Sequence, residues 1–185
     1  MQIVFVCSGN TCRSPLALTA WHLATRRIAA EARGSVSLTG ISATSAGLCA
    51  SPGAGAARHT LEVAREWSTD LSEHRAQLFR PQHARADLIV TMTRDQADVL
   101  RSHFEVGEEQ VQLLGSYVPR AVRRAEAARL APLWGSDAAL TFLTHQTNEA
   151  DILDPFGSSL EAYQECGAQI RRCVWELAHV LARLQ

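Results

Sequence analysis

Gln2-Ile3-Val4-Phe5-Val6-Cys7-Ser8-Gly9-Asn10-Thr11-Cys12-Arg13-Ser14-Pro15 is the stretch that decides the fold. Ile3 to Val6 make a continuous apolar run of strand length, the pattern of a strand buried on both faces inside an α/β sheet. Ser8 to Ser14 are small and polar, which reads as a tight loop. Pro15 suits the first turn of a helix. Ala17, Ala20, Trp21, Ala24 and Ile28 then follow at helical spacing, and Gly34 closes the helix. Strand, loop and helix open a βαβ unit.

Downstream the alternation repeats. Val36 to Ser45 is β-branched and strand-like, and Ser51 to Gly55 is a Pro/Gly turn. Ala57, Leu61, Ala64 and Trp67 form a second helical stripe. Leu88 to Met92 mark a third strand, followed by a helix from about Asp95 to His103. Val111 to Leu114 is a shorter fourth strand. Gly157 and Ser158 precede a long helix carrying Tyr163, Cys166, Gly167, Ile170, Val174, Leu177 and Leu181 on one face. These elements predict one α/β domain over 1–185, a parallel sheet with helices on both faces. Pro119 to Asn148 breaks the pattern with Arg120, Arg123, Arg124 and Arg129 ahead of Leu130, Leu133 and Trp134. It reads as a helical insertion at about 119–148, two short helices split near Gly135. Its arginines are a solvated face or a docking surface for an acidic partner.

Composition narrows the class. A chain of 185 residues with 46% hydrophobic and 20% charged residues buries a real core without staples. A net charge of −1 and a pI near 6.6 recommend neither nucleic acid nor an anionic membrane as partner. The five cysteines, Cys7, Cys12, Cys49, Cys166 and Cys173, are odd in number and irregular in spacing, unlike a secreted disulfide scaffold. The start lacks the basic segment of a signal peptide, and no apolar run reaches the roughly 20 residues that span a bilayer. A soluble cytoplasmic protein with reduced thiols is expected. The seven histidines show no metal-ligand spacing, so neither metal nor other cofactor is expected.

Cys7, five residues and Arg13 are weak as a string: five Cys and 18 Arg in 185 positions give about half a chance match. Cys166 to Arg172 is a second match, but it lies inside the last helix, where backbone N–H groups are already engaged. Context separates the two. A loop that leaves a strand and enters a helix turns successive N–H groups inward, forming an anion nest at the helix's positive end. Gly9 permits the bend. Arg13 grips two phosphate oxygens with its planar fork. Cys7 sits at the base, where these donors and the Arg charge favour the nucleophilic thiolate, and Ser14 adds a hydroxyl donor to the sulfur. The arrangement suits phosphoryl transfer to sulfur. A thiolate nucleophile needs a partner that protonates the leaving group and then activates water. Asp154, held on a loop by Pro155, is the candidate.

The segment Val6-Cys7-Ser8-Gly9-Asn10-Thr11-Cys12-Arg13-Ser14-Pro15 with Asp154-Pro155-Phe156-Gly157 resembles the low molecular weight protein-tyrosine phosphatases. The likeness covers the whole chain except Pro119 to Asn148. It implies a four-stranded parallel sheet with flanking helices and hydrolysis of phosphorylated protein side chains through a phosphocysteine. It makes Cys7 the nucleophile, Arg13 the clamp, Asp154 the acid and then base, and Ser14 the thiolate's donor. Ser8, Gly9, Asn10, Thr11 and Cys12 complete the phosphate loop, with Asn10 braced against Ser45. Within the family the chain is most similar to bacterial protein-arginine phosphatases. These carry Thr at the place of Thr11, where tyrosine enzymes have a bulkier aliphatic residue, and Phe-Gly after the proline, as in Phe156-Gly157. Phosphoarginine is therefore the expected substrate, with phosphotyrosine the alternative.

Other readings stand beside these. Cys12 is either a small buried hydrophobe or a redox partner that caps Cys7 as a disulfide. Cys166 and Cys173 share one helix face and read as core. Their spacing is similar to that of the resolving thiols of arsenate reductases, but no Cys follows the third strand. Phe156 reads as a pocket wall, His103 as remote from substrate, and the other histidines as surface or satisfied groups. A non-catalytic phosphate-binding module is the third class weighed.

Overall fold

In the computed structural model, which describes residues 1–32, 38, 40–119 and 150–184, β1 (Gln2–Cys7) pairs in parallel with two neighbours. These are β2 (Ser42–Gly47) on one side and β3 (Leu88–Thr91) on the other. With β4 (Val111–Leu113) they make a four-stranded parallel sheet in the order β2-β1-β3-β4. The described helices are α1 (Arg13–Glu31), α2 (Arg58–Glu66), α3 (Arg94–His103) and α4 (Leu160–Ala182).

The apolar run of β1 splits by parity. Ile3 and Phe5 join one core with Leu16, Trp21, Ile170 and Leu177 of α1 and α4. Val4 and Val6 join a second core with Ile89, Ala97 and Leu100, under α3. A strand covered on both faces must be apolar at every position, and β1 is. Each such side chain contributes about 1.5–3 kcal/mol on burial. The stripe of α4 is buried at every expected position from Tyr163 to Leu181.

Three boundaries differ from the sequence reading. β2 begins at Ser42, because its first partner is Gln2, where β1 itself starts; Val36 lies outside the described residues. α1 ends at Glu31, with the Ala32 amide returning to the Ile28 carbonyl; Gly34 lies outside the described residues. α3 starts at Arg94 because Thr93 and Gln96 form a reciprocal capping box. The expected helical insertion also lies outside the described residues, apart from Pro119.

The chain runs from β1 to β2 on one side, then crosses back to β3 on the other. The strand order therefore reverses between β1 and β3, and a crevice opens outside their carboxyl ends. Ser8–Cys12 follow β1 there, and Met92 and Thr93 follow β3. No described helix is long and apolar enough to cross a membrane.

Candidate active site

Between β1 and α1 the backbone curls around the Cys7 sulfur. Ser14 Oγ lies 3.0 Å from Cys7 Sγ, and the Asn10 amide donates to the same sulfur at 3.3 Å. Cys7 and Ser14 are buried. The first turn of α1 holds no acidic residue and Cys12, its N-cap, makes no side-chain capping bond, so the positive end of the helix is not neutralised locally.

Asn10 is the keystone of the loop. Its φ of 53° is left-handed, a conformation Asn tolerates better than most residues. Its Nδ2 donates to Ser14 Oγ at 2.9 Å and to Ser45 Oγ at 3.0 Å, as the resemblance implied. Its Oδ1 accepts from the Gln77 amide at 2.8 Å, and its carbonyl meets His74 Nε2 at 2.7 Å. The strained position is thus Asn10, not Gly9. A Cβ on Gly9 would meet only Thr11 Oγ1 at 3.3 Å. Gly47 is the glycine the site requires: a Cβ there would lie 2.6 Å from the Ser8 carbonyl and 2.7 Å from the Asn10 amide.

Arg13 is 3% exposed. Its Nη1 donates to the Ile152 carbonyl at 3.0 Å, and its Nη2 ion-pairs with Asp154 and reaches Ser8 Oγ at 3.5 Å. Its Nε is a buried donor without a partner. A buried guanidinium N–H beside the nest is the donor an oxyanion satisfies. Asp154 sits on a turn. Its Oδ1 accepts from the Phe156 amide at 3.2 Å, the Ser158 amide returns to the Pro155 carbonyl, and Gly157 takes a φ of 81°. The turn lifts Phe156 to its tip, where it is 73% exposed.

A cavity of about 240 Å³ is lined by Cys7, Ser8, Thr11, Cys12, Asp154 and Phe156, together with Gly9 and Cys49. Phe156 is therefore a wall and not core. A larger space of about 280 Å³ between α1 and α4, bordered by Arg27, Arg171, Arg172 and Trp175, offers no thiol or carboxylate. Cys12 faces Thr11 Oγ1 at 3.6 Å and Tyr163 Oη at 3.5 Å, and burial pushes its thiol above the ordinary range. Cys7 and Cys12 are both free thiols. Cys166 and Cys173 are core, 0% and 1% exposed, and burial pushes the Cys166 thiol far up. They are poor candidates for a redox relay.

Sequence reasoning missed His74, Gln77, Gln96 and Cys49. Gln96 Nε2 donates to Ser8 Oγ at 3.2 Å. None belongs to a motif, and only the Thr93–Gln96 spacing of a capping box marks one of them. His103 stands at the far end of α3, beside Phe104 and Pro81. No group of three or more His, Cys, Asp or Glu able to hold a metal occurs among the described residues. The arrangement offers a sulfur nucleophile, an anion cradle and a carboxyl on one cavity.

Comparison with known proteins gives a family model described as low molecular weight phosphotyrosine protein phosphatase, matching residues 2–141. The protein-arginine-phosphatase of Bacillus subtilis (strain 168) is 28% identical, over 99% of this chain and 98% of that one. A low molecular weight protein-tyrosine-phosphatase PtpB of Staphylococcus epidermidis is 32% identical, over 92% of this chain and 91% of its own. The crystal structure of a YwlE mutant from Bacillus subtilis superposes with a TM-score of 0.69 at 26% identity, covering 98% of both chains.

Proposed function

The chain belongs to the low molecular weight phosphotyrosine protein phosphatase family, and from that premise we propose that Cys7, Arg13 and Asp154 carry a protein phosphatase reaction that prefers phosphoarginine. The observation that carries this is the meeting of the Cys7 sulfur and the Asp154 carboxyl on one small cavity, with Arg13 ion-paired to that carboxyl and its Nε a buried donor without a partner.

Cys7 Sγ attacks phosphorus as the bond to the leaving nitrogen or oxygen breaks, and Asp154 gives that atom its proton. The resulting phosphocysteine is attacked by water, which loses its proton to Asp154. Inorganic phosphate leaves and the thiolate is restored. The nest amides and Arg13 stabilise the equatorial oxygens throughout. The Arg13–Asp154 ion pair links clamp and acid. When phosphoryl oxygens take the guanidinium, the carboxyl is released to hold the leaving-group proton. Ser14 and the Asn10 amide stabilise the sulfur as leaving group in the second step.

Thr11 and Phe156 support phosphoarginine. A guanidinium edge brings N–H donors to the cavity wall, and leaving them unpaired against an aliphatic residue costs about 1–3 kcal/mol. The Thr11 hydroxyl can donate to Cys12 and keep its lone pairs for those donors. The exposed Phe156 ring offers a stacking face worth about 0.5–2 kcal/mol. Relatives named for each substrate exist, so phosphotyrosine is the competing reading.

The test is kcat/KM on matched phosphoarginine and phosphotyrosine peptides with wild type, Cys7→Ser and Thr11→Ile. Cys7→Ser is expected to lose turnover. Wild type favours phosphoarginine, and Thr11→Ile moves the ratio toward phosphotyrosine by about tenfold or more. A wild type that favours phosphotyrosine overturns the arginine preference and leaves a tyrosine phosphatase.

A further inference from the structure

We propose that Gln96 is a positioning residue that fixes the Ser8 hydroxyl as a hydrogen-bond donor to a phosphoryl oxygen of the substrate. The inference rests on the phosphatase reading above and adds to it a contact that spans the two halves of the sheet.

Gln96 is 6% exposed in the first turn of α3. Its Oε1 accepts from the Met92 amide at 3.0 Å and the Thr93 amide at 3.3 Å. Those two donors settle the orientation of the side-chain amide, because the flipped form would set NH₂ against N–H. Nε2 is thereby aimed at Ser8 Oγ, 3.2 Å away. The same oxygen receives Arg13 Nη2 at 3.5 Å. A hydroxyl has two lone pairs and one proton. With both lone pairs turned toward N–H donors, the proton takes the remaining direction.

Ser8 lines the cavity beside Cys7 and Asp154, so the remaining direction serves a group held there. The phosphoryl group is the acceptor the chemistry supplies. Its oxygens carry the negative charge that a positioned O–H stabilises most. Without Gln96 only the longer Arg13 contact holds the oxygen, one lone pair is released and the hydroxyl proton can turn away from the cavity. Gln96 reaches it from 88 residues away, across the β1–β3 crevice, and therefore ties the geometry of the β1 loop to the cap of α3.

A double-mutant cycle tests this, read by kcat/KM on para-nitrophenyl phosphate, by the inhibition constant of inorganic phosphate, and by melting temperature. Ser8→Ala and Gln96→Met are each expected to lower kcat/KM and weaken phosphate inhibition by about tenfold, the size of one charge-assisted hydrogen bond. The double variant stays within about twofold of Ser8→Ala alone, because the two residues act as one unit. Ser8→Thr, which keeps a hydroxyl, restores most of the rate. Gln96→Glu keeps an oxygen for the Met92 and Thr93 amides, which preserves the cap should Gln96→Met fail to fold. In the Ser8→Ala background its loss measures the added charge alone, and with Ser8 present the loss is larger. Losses that multiply in the double variant, or a Ser8→Ala enzyme at the wild-type rate with unchanged phosphate inhibition, would overturn the proposal. Turnover that survives in Cys7→Ser would instead overturn the phosphocysteine mechanism.

Discussion

Asp151 and Asp154 are three residues apart and have opposite surroundings. Asp154 faces the cavity and pairs with Arg13. Asp151 Oδ1 accepts from the Arg94 amide at 2.9 Å, and burial pushes its carboxyl above the usual range. Asp154→Asn is expected to slow turnover by about 10²- to 10⁴-fold, least for nitrophenyl phosphate, whose leaving group needs little protonation. Equal losses for nitrophenyl and basic leaving groups would assign the proton to another residue. Asp151→Asn keeps an oxygen for Arg94 and leaves the leaving-group dependence unchanged. Its effect is on stability. A carboxyl raised in the fold stabilises most when protonated, and that contribution is lost as pH rises. The melting temperature of Asp151→Asn relative to wild type should therefore rise between about pH 4 and pH 7. A flat difference across that range would show that the burial of Asp151 has no energetic consequence.

At the scale of elements, the site is a junction in which β2 presses against the loop that joins β1 to α1. Cys7 pairs with Gly47 in register, and the Leu48 and Cys49 amides donate to the Cys7 and Ser8 carbonyls at 3.0 and 2.9 Å. The 71–78 segment closes the other side through His74 and Gln77. A Cβ at position 47 would collide with backbone on both sides of Gly9, and backbone cannot rotate away. Gly47→Ala should therefore misplace the nest and cost about 10²-fold in kcat/KM, the usual penalty for an ångström of misalignment. Gly9→Ala should cost far less, since only the Thr11 hydroxyl must turn. Similar losses in the two variants would mean that the loop itself, and not its contact with β2, sets the geometry.

The whole molecule sets the β1–α1 loop and Arg13 at the carboxyl end of one parallel sheet, the place where the proposed cradle would take an oxyanion. Binding to the folded state alone stabilises it by about 2.7 kcal/mol at a hundred times Kd. For a chain of this size that corresponds to about 5–10 °C in melting temperature. Vanadate or phosphate at that excess should raise the melting temperature of wild type and of Cys7→Ser alike, because the cradle is made of backbone and Arg13 and does not need the thiol. Arg13→Lys should lose most of the shift, since a point charge cannot reproduce the planar fork. A full shift in Arg13→Lys would place the anion elsewhere.

The sequence by itself determined the scaffold and singled out the three groups proposed to react. The run Ile3 to Val6 is apolar at every position because β1 is covered on both faces, and that covering is a property of the chain's own composition. Cys7, Arg13 and Asp154 were legible because local rules place them: a strand end, a helix start and a pre-proline loop. The tertiary structure decided what holds them. Ser8 meets Gln96, and Asn10 meets Ser45, His74 and Gln77, across separations of 35 to 88 residues. These are hydrogen bonds from the β1–α1 loop to β2, to α3 and to the 71–78 segment, which follow no period and depend only on where the sheet order brings strand ends together. The strain at Asn10 rather than Gly9 has the same origin, since three groups from outside the loop, on Ser45, His74 and Gln77, fix its backbone and side chain. Local propensity chose the elements, and the crossover between β2 and β3 chose the neighbours.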